Sequence, residues 1–238
     1  MTRIRTKEIE QLQIERFISN VKHDIIFQSL EASETPDFTV ETTDKIISIE
    51  HTRFINNQSK MVEVYRQSII DAARLKFENK YDVELQCMFR YSDAVMDKQY
   101  SKKHYIDLFF NLVETIYLAN KGRDFRVSTK HCKLENEFVD SINVSSDTSW
   151  SNWQSVGAYL VKPIDYKDVQ LVINHKASLI TQYPNNIDEK WLVIIAGLGH
   201  RSSGYRFDLL DRSSIDKNGF DRIYFFDDRC KIKRNKAQ

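Results

Sequence analysis

The chain has 238 residues, of which 41% are hydrophobic and 12% aromatic, and its formal net charge is +1. This composition excludes a disordered chain and a global electrostatic attraction to nucleic acid, so any basic surface must be local. Three scattered cysteines without Cys-x-x-Cys spacing indicate neither a disulfide framework nor a zinc site. We therefore expect a cytoplasmic protein, and the shortness of every apolar run predicts that it has no membrane partner.

The first predicted element is an amphipathic helix over residues 7–21. Glu15 lies within three residues of both Leu12 and Ile18, so it borders the predicted buried side of this helix. Two interpretations of Glu15 stay open: a solvated glutamate at the helix edge, or a carboxylate that faces a functional site. Residues 25–33 are ambiguous between the end of this helix and a first strand.

A β-hairpin is predicted next, within residues 35–53. Residues 38–40 and 45–53 have strand character, and they flank a polar turn at residues 41–44. Pro36 stands at the entry of the first strand, a position where a missing backbone N–H is tolerated.

Two carboxylates of this hairpin are predicted to lie near one point. Side chains alternate between the faces of a strand, so Glu50 and Thr52 share one face while His51 points to the other. Asp37, at the start of the partner strand, approaches the face of Glu50 when the hairpin closes. Such a pair is a candidate site for a hard divalent cation.

These residues carry a resemblance to a known family. Pro36-Asp37, followed by Glu50-His51-Thr52, resembles the active-site signature of the PD-(D/E)xK phosphodiesterase superfamily, the restriction-endonuclease-like fold, with Thr52 where the family usually has lysine. The resemblance implies an α-β-β-β-α-β core and a nuclease that depends on Mg²⁺ or Mn²⁺. It also implies that Asp37, Glu50 and the backbone carbonyl of His51 bind the metal.

The resemblance further implies a carboxylate from the first helix and a cation near the scissile phosphate. Among the acids of the first helix we choose Glu15 over Glu10 and Glu8. The predicted catalytic set is then completed by a group that substitutes for the missing lysine. The predicted catalytic residues are Asp37, Glu50, Thr52, Lys176 and Glu15.

Helices and strands alternate through the middle of the chain. Residues 61–79 predict an amphipathic helix packed on a sheet, and residues 81–91 predict a strand that completes the core order. Residues 103–119 predict another helix and residues 135–144 another strand. The polar run 145–152 predicts a loop.

A lysine interrupts the apolar face of the last predicted helix, which begins at Asp165 and runs to about residue 183. One interpretation of Lys176 is a side chain that snorkels to water at the edge of the stripe. The other is that Lys176, or Arg66 of the second helix, supplies the cation that Thr52 cannot provide.

These elements predict one α/β domain over residues 1–238, with a mixed central sheet flanked by helices. We expect the core at residues 1–95 and helix and strand additions at residues 96–238, including strands at 191–196 and 223–226. The expected partner is nucleic acid, DNA rather than RNA, and a dimer is one option for the oligomeric state. The alternatives are a degenerate module of this fold that binds nucleic acid or protein without catalysis, or an α/β domain whose acids are ordinary surface residues.

Overall fold

The computed structural model describes residues 2–21, 25–92, 100–131, 134–157, 161–197 and 200–228. The chain folds into two compact units. The first unit combines Met1–Asn57 with Leu160–Gln238, and the second comprises Gln58–Tyr159. The second unit is therefore inserted in the sequence of the first.

Four α-helices and a short 3-10 helix are present in the described part of the chain. They are α1 (Thr2–Val21), α2 (Asn57–Tyr81), α3 (Lys102–Asn120), α4 (Tyr166–Ala177) and the 3-10 helix Ile180–Gln182. None of the helices in these described ranges is long and apolar enough to cross a membrane.

The strands form two mixed sheets and one small parallel ladder. They are β1 (Phe27–Ala32), β2 (Phe38–Thr42), β3 (Ile46–Arg53), β4 (Gln86–Tyr91), β5 (Arg126–Ser128), β6 (Val139–Ser145), β7 (Asn152–Val156), β8 (Lys162–Pro163), β9 (Glu189–Ala196), β10 (Tyr205–Arg206) and β11 (Arg222–Asp227). The prediction of an α/β protein with a mixed sheet is confirmed at this level.

The sheet of the first unit has the order β1-β2-β3-β9-β11. Strands β1, β2 and β3 are antiparallel neighbours, while β3, β9 and β11 run parallel. Helix α1 covers one face with Ile14 and Phe17, and helix α4 covers the other with Val169 and Ile173. The predicted hairpin is thus confirmed as β2 and β3, and Pro36 precedes it in a cis peptide bond.

Strand β9 is an interior strand of this sheet, between β3 and β11, and its sequence explains why. Trp191 and Val193 belong to the cluster under α1, whereas Leu192 and Ile194 belong to the cluster under α4. All four side chains are fully buried. A strand that is covered on both faces needs a continuous apolar run, which is the pattern of residues 191–196.

The sheet of the second unit has the order β5-β6-β4-β7. Its core is rich in aromatic side chains from α2, α3 and the sheet, among them Phe77, Phe89, Phe109 and Trp153. The ring of Phe89 lies 4.9 Å from that of Phe109 and 5.8 Å from that of Trp153. These rings supply the second unit with its own hydrophobic core.

The structure differs from the predicted organisation in which elements accompany the hairpin. The core was expected within residues 1–95, but α2 and β4 belong to the second unit. The neighbour of β3 is instead β9, with Glu50 in register with Leu192. The reason is that the apolar face of α2 packs on β4 and β6, which leaves β3 to pair with the apolar strand that follows α4.

The boundaries of two secondary-structure elements also differ from the predicted ones. Strand β4 begins at Gln86 instead of residue 81, because α2 continues to Tyr81, whose ring packs 4.9 Å from that of Phe77. Helix α4 ends at Ala177, and the 3-10 helix follows where the helix was expected to run to residue 183. Within residues 146–151 there is no helix or strand, which confirms the predicted loop.

Candidate functional site

The hairpin places Asp37 opposite Glu50. Phe38 is in register with Ile49, so the preceding and following residues, Asp37 and Glu50, continue the same antiparallel alignment. Oδ2 of Asp37 accepts a hydrogen bond of 2.9 Å from the backbone N–H of His51. This bond fixes the orientation of the Asp37 carboxylate beside the strand that carries Glu50.

Lys176 joins the two carboxylates. Its Nζ donates to Oδ2 of Asp37 over 3.0 Å and to Oε2 of Glu50 over 2.6 Å. The lysine side chain is 17% exposed, that of Asp37 is 27% exposed, and that of Glu50 is 1% exposed. The predicted approach of the lysine to the hairpin is confirmed as geometry, and its catalytic role stays a prediction.

Helix α4 positions this lysine because its apolar face packs on the sheet. Asp165 caps the helix through a hydrogen bond of 2.9 Å from the backbone N–H of Lys167. Val169 and Ile173 are buried against the sheet, and Lys176 follows Ile173 by three positions. Residues three and four apart lie on one helix face, so Lys176 is held over β3 rather than in water.

The charges of the three groups depend on one another. Burial raises the pKa of Glu50, the hydrogen bond from Lys176 lowers it, and the negative charge of Asp37 raises it again, so the net direction is upward. Burial by itself favours the neutral amine of Lys176, but the hydrogen bond to Glu50 and the charges of Asp37 and Glu50 outweigh it and raise the pKa of Lys176. The lysine is therefore an ammonium at neutral pH.

His51 contributes its backbone to this side of the sheet and its ring to the other, as predicted from strand alternation. Its Nε2 lies 2.9 Å from Oε1 of Gln13 on α1, and Nε2 of Gln13 lies 3.3 Å from Oδ2 of Asp228. The residue His51 is 5% exposed, and its burial is the main cause that lowers the pKa of His51 to about 4. The imidazole is thus neutral at pH 7.

The choice of Glu15 on α1 needs correction. Leu12, which defined the predicted stripe, is 55% exposed. Glu15 is exposed too, and its Oε1 accepts a hydrogen bond of 3.0 Å from Gln11 on the same helix. The buried side of α1 instead includes Gln13. The acid nearest to that side is Glu10, which lies about one helical turn before Gln13.

Glu10 is the α1 carboxylate that the site influences. Burial and the negative charge of Asp37 raise the pKa of Glu10, while Arg53 and Lys176 lower it. Charges act at this strength only over short distances. Glu10 therefore belongs to the electrostatic surroundings of Asp37.

The structure also shows where Thr52 and Arg66, two other predicted residues, lie. Thr52 lies on β3, is in register with Ile194, and is half-buried. Arg66 lies on α2 in the second unit, where its guanidinium stacks 4.4 Å from the centre of the Tyr91 ring.

Sequence reasoning missed Tyr183, which was treated as one more apolar residue of the last helix. The residue is 8% exposed and follows the 3-10 helix. Burial is the largest cause that raises the pKa of Tyr183, followed by the charge of Glu50, a hydrogen bond to Glu50 and the charge of Asp37. Only its hydroxyl distinguished Tyr183 from the apolar residues of that stripe, and a buried hydroxyl requires a partner.

The residues present fit a hard cation at Asp37 and Glu50. Both carboxylates reach a single positively charged nitrogen, so they converge on one position that a cation can occupy. Two carboxylates with carbonyl oxygen and waters suit Mg²⁺ or Mn²⁺. Among the described residues, no group of three or more His, Cys, Asp and Glu side chains is placed to hold a metal ion.

Comparison with known proteins gives no relative. No family model matches the chain, and neither a curated protein nor a solved structure does.

Proposed function

We propose that the first unit is a metal-dependent phosphodiesterase of the PD-(D/E)xK type that cleaves nucleic acid. Asp37 and Glu50 are the proposed ligands of Mg²⁺ or Mn²⁺, together with the carbonyl of His51. Lys176 takes the place of the lysine that Thr52 replaces in the signature. The observation that carries this proposal is the contact of one lysine nitrogen with both carboxylates.

The order of elements supports the proposal. Apart from the two-residue strand β8, which lies outside the five-stranded sheet, and the short 3-10 helix, the first unit passes through α1, β1, β2, β3, α4 and β9, which is the order α-β-β-β-α-β. The second unit interrupts this order between β3 and α4. An insertion at the end of a strand leaves the pairing of the sheet intact.

The charges of the metal ion, the two carboxylates and the lysine determine the role proposed for each. A bound divalent cation would polarise the phosphate and lower the pKa of a bound water. Asp37 and Glu50 would hold that cation, and the backbone N–H of His51 would keep Asp37 oriented toward it. Lys176 would stabilise the negative charge that develops on the phosphate, and the loss of one such donor typically reduces the rate by about 10²–10³.

The alternative is a degenerate module that binds nucleic acid or protein without catalysis. One observation favours it: Lys176 already neutralises much of the charge of Asp37 and Glu50, so the cluster is satisfied within the protein. A buried ion pair of this kind can persist as a structural feature alone.

Cleavage assays distinguish the two functions. Wild type is incubated with labelled single- and double-stranded DNA and RNA, with Mg²⁺, with Mn²⁺ or with EDTA. We expect metal-dependent cleavage that falls by at least about 10²-fold in Asp37→Asn and in Glu50→Gln. Asp44→Asn, at the turn of the same hairpin, is the matched control and should cleave like wild type. Cleavage retained by both site variants, or binding without cleavage by wild type, would favour the degenerate module.

A further inference from the structure

A buried glutamine connects α1 to the strand that carries Glu50. Gln13 is 2% exposed, and both ends of its amide have a partner. Its Oε1 lies 2.9 Å from Nε2 of His51, and its Nε2 lies 3.3 Å from Oδ2 of Asp228. Arg16, also on α1, donates to Oδ1 of the same aspartate over 2.9 Å. A satisfied buried network of this kind holds its members in one arrangement.

The partners of Gln13 determine which nitrogen of the His51 ring carries the proton. Asp228 forms an ion pair with Arg16, and a carboxylate accepts hydrogen bonds without donating any. The amide of Gln13 therefore presents its NH₂ group to Asp228 and its oxygen to His51. That oxygen can only accept, so Nε2 of His51 is the donor in this contact. The ring is thus held from α1 in one tautomer and one orientation.

The backbone of His51, rather than its ring, reaches the candidate site. Within the described residues the pairing of β2 with β3 extends to Phe38 and Ile49, so His51 lies beyond its end. Its N–H donates to Oδ2 of Asp37 over 2.9 Å, where a ladder bond would otherwise form. The N–H and the C=O of a strand residue point to the same neighbour, so the carbonyl of His51 is directed to the side of Asp37 as well. The contact with Gln13 therefore restrains the residue whose backbone faces Asp37.

We propose that Gln13 is a positioning residue for the metal site. Through the ring of His51 it fixes the backbone that orients Asp37 and presents a carbonyl oxygen to the cation. The inference rests on the proposed function, because the cation is the one that Asp37 and Glu50 are proposed to bind. Gln13 acts from the face of the sheet that α1 covers, whereas Lys176 contacts Glu50 from α4. Residues that hold a metal ligand in this way typically change the metal affinity by about 10- to 100-fold.

Mn²⁺ affinity measures the first consequence. Mn²⁺ is titrated by calorimetry into wild type, Gln13→Leu and Gln11→Leu. Gln11 is the matched control, because it is exposed on the same helix and donates only to a neighbouring side chain, Glu15, in the contact described above. We expect Gln13→Leu to bind Mn²⁺ about tenfold more weakly, and Gln11→Leu to bind it like wild type.

A reciprocal exchange of the two polar partners should rescue the site. In the double variant Gln13→Glu with Asp228→Asn, the introduced carboxylate accepts from His51 and from the introduced amide, and the net charge is unchanged. We expect this exchanged pair to recover most of the Mn²⁺ affinity that Gln13→Leu loses. Gln13→Glu alone places two carboxylates side by side and should not recover it. The comparison of Gln13→Glu with the exchanged pair decides the question even when Gln13→Leu does not fold.

Nitrogen-15 spectra of histidine-labelled, metal-free protein give a readout that a merely structural role would not change. Wild type should show a His51 ring protonated at Nε2 and a His51 amide shifted downfield by its bond to the Asp37 carboxylate. In Gln13→Leu this amide resonance should move upfield, and in the exchanged pair it should return. The spectrum of His51→Gln identifies both resonances by their loss.

Three results would overturn the positioning role. In the first, the His51 amide resonance and the Mn²⁺ affinity are unchanged in Gln13→Leu while its Tm is lower, which would make Gln13 a structural residue only. In the second, the His51 ring of wild type is protonated at Nδ1, which would leave the metal site itself untouched. In the third, wild type binds no Mn²⁺, which would remove the proposed function and the positioning role with it.

Discussion

Nζ of Lys176 donates a hydrogen bond to Oε2 of Glu50 over 2.6 Å, although 126 positions separate the two residues in the chain. The Glu50 side chain is 1% exposed, so the ion pair forms almost out of water. Removing one partner of such a pair leaves a buried charge unpaired, which costs more than the intact pair contributes. The stability of the fold and the proposed binding of a metal ion therefore depend on the same side chains.

Lys176→Met should lower the free energy of unfolding at pH 7 by about 3 kcal/mol, because it leaves the Glu50 carboxylate buried without its cation. Adding Glu50→Gln to Lys176→Met should restore part of that loss, since the double variant has no buried charge at this point. Urea unfolding measures both effects. Lys45→Met is the control: Lys45 pairs with Glu189 but is 44% exposed, so its loss should change the free energy of unfolding far less than the loss of Lys176 does. Additive effects of the two site substitutions would contradict a coupled pair.

Lys176→Met should also bind Mn²⁺ more tightly than wild type, by about tenfold. The ammonium and the metal compete for the same carboxylate oxygens, so removing one increases the affinity for the other. Thermal shift in a series of Mn²⁺ concentrations measures this change as a larger increase in Tm. The gain should vanish when Asp37→Asn is added. Unchanged affinity in Lys176→Met would place the metal away from the lysine.

Stability should fall as the pH drops from about 6.5 toward 4, and His51 should be a main cause. The folded-state pKa of His51 is lowered to about 4, so below pH 6.5 the unfolded chain takes up a proton that the folded protein excludes. This difference corresponds to about 2 kcal/mol at pH 5. Urea unfolding at pH 7 and pH 5 should show a smaller loss in His51→Gln than in wild type.

His175→Gln is the control for that measurement, because His175 is exposed on α4 and its substitution removes a histidine outside the buried surroundings of His51. An equal loss of stability in wild type and in His51→Gln would show that other groups cause it.

Glu10→Gln should weaken Mn²⁺ binding about two- to fivefold, whereas Glu15→Gln should leave it unchanged. Glu10 adds negative charge near Asp37, and long-range attraction of this size is typical of partly screened charges. Calorimetry at low ionic strength measures the effect, which should decrease when salt is added. A larger effect from Glu15 than from Glu10 would restore the original choice on α1.

The hairpin could be predicted from the sequence because the information is local. Alternation along β3 separates Glu50 from His51, and the short turn brings Asp37 opposite Glu50. Lys176 could be singled out because a charge stands out on an apolar helix face.

The neighbour of β3 could not be predicted in the same way. Both β4 and β9 are strands of suitable length that follow amphipathic helices, and no local signal tells which one pairs with β3. Glu10 was not chosen for a related reason. The prediction placed Leu12 on the buried side of α1, and this assignment rotated the predicted buried face by a fraction of a turn from the observed one. Tyr183 escaped because an aromatic residue on an apolar face is ordinarily part of the core.

The insertion of the second unit between β3 and α4 sets an order of events during synthesis. Local contacts form early, whereas the parallel pairing of His51 with Val193 must close a loop of well over a hundred residues. Residues 58–159 have a core of their own and emerge from the ribosome before β9 does. The carboxylates of the hairpin thus remain without their lysine until synthesis has passed Lys176, and a truncated product that stops before α4 carries the acids without the cation.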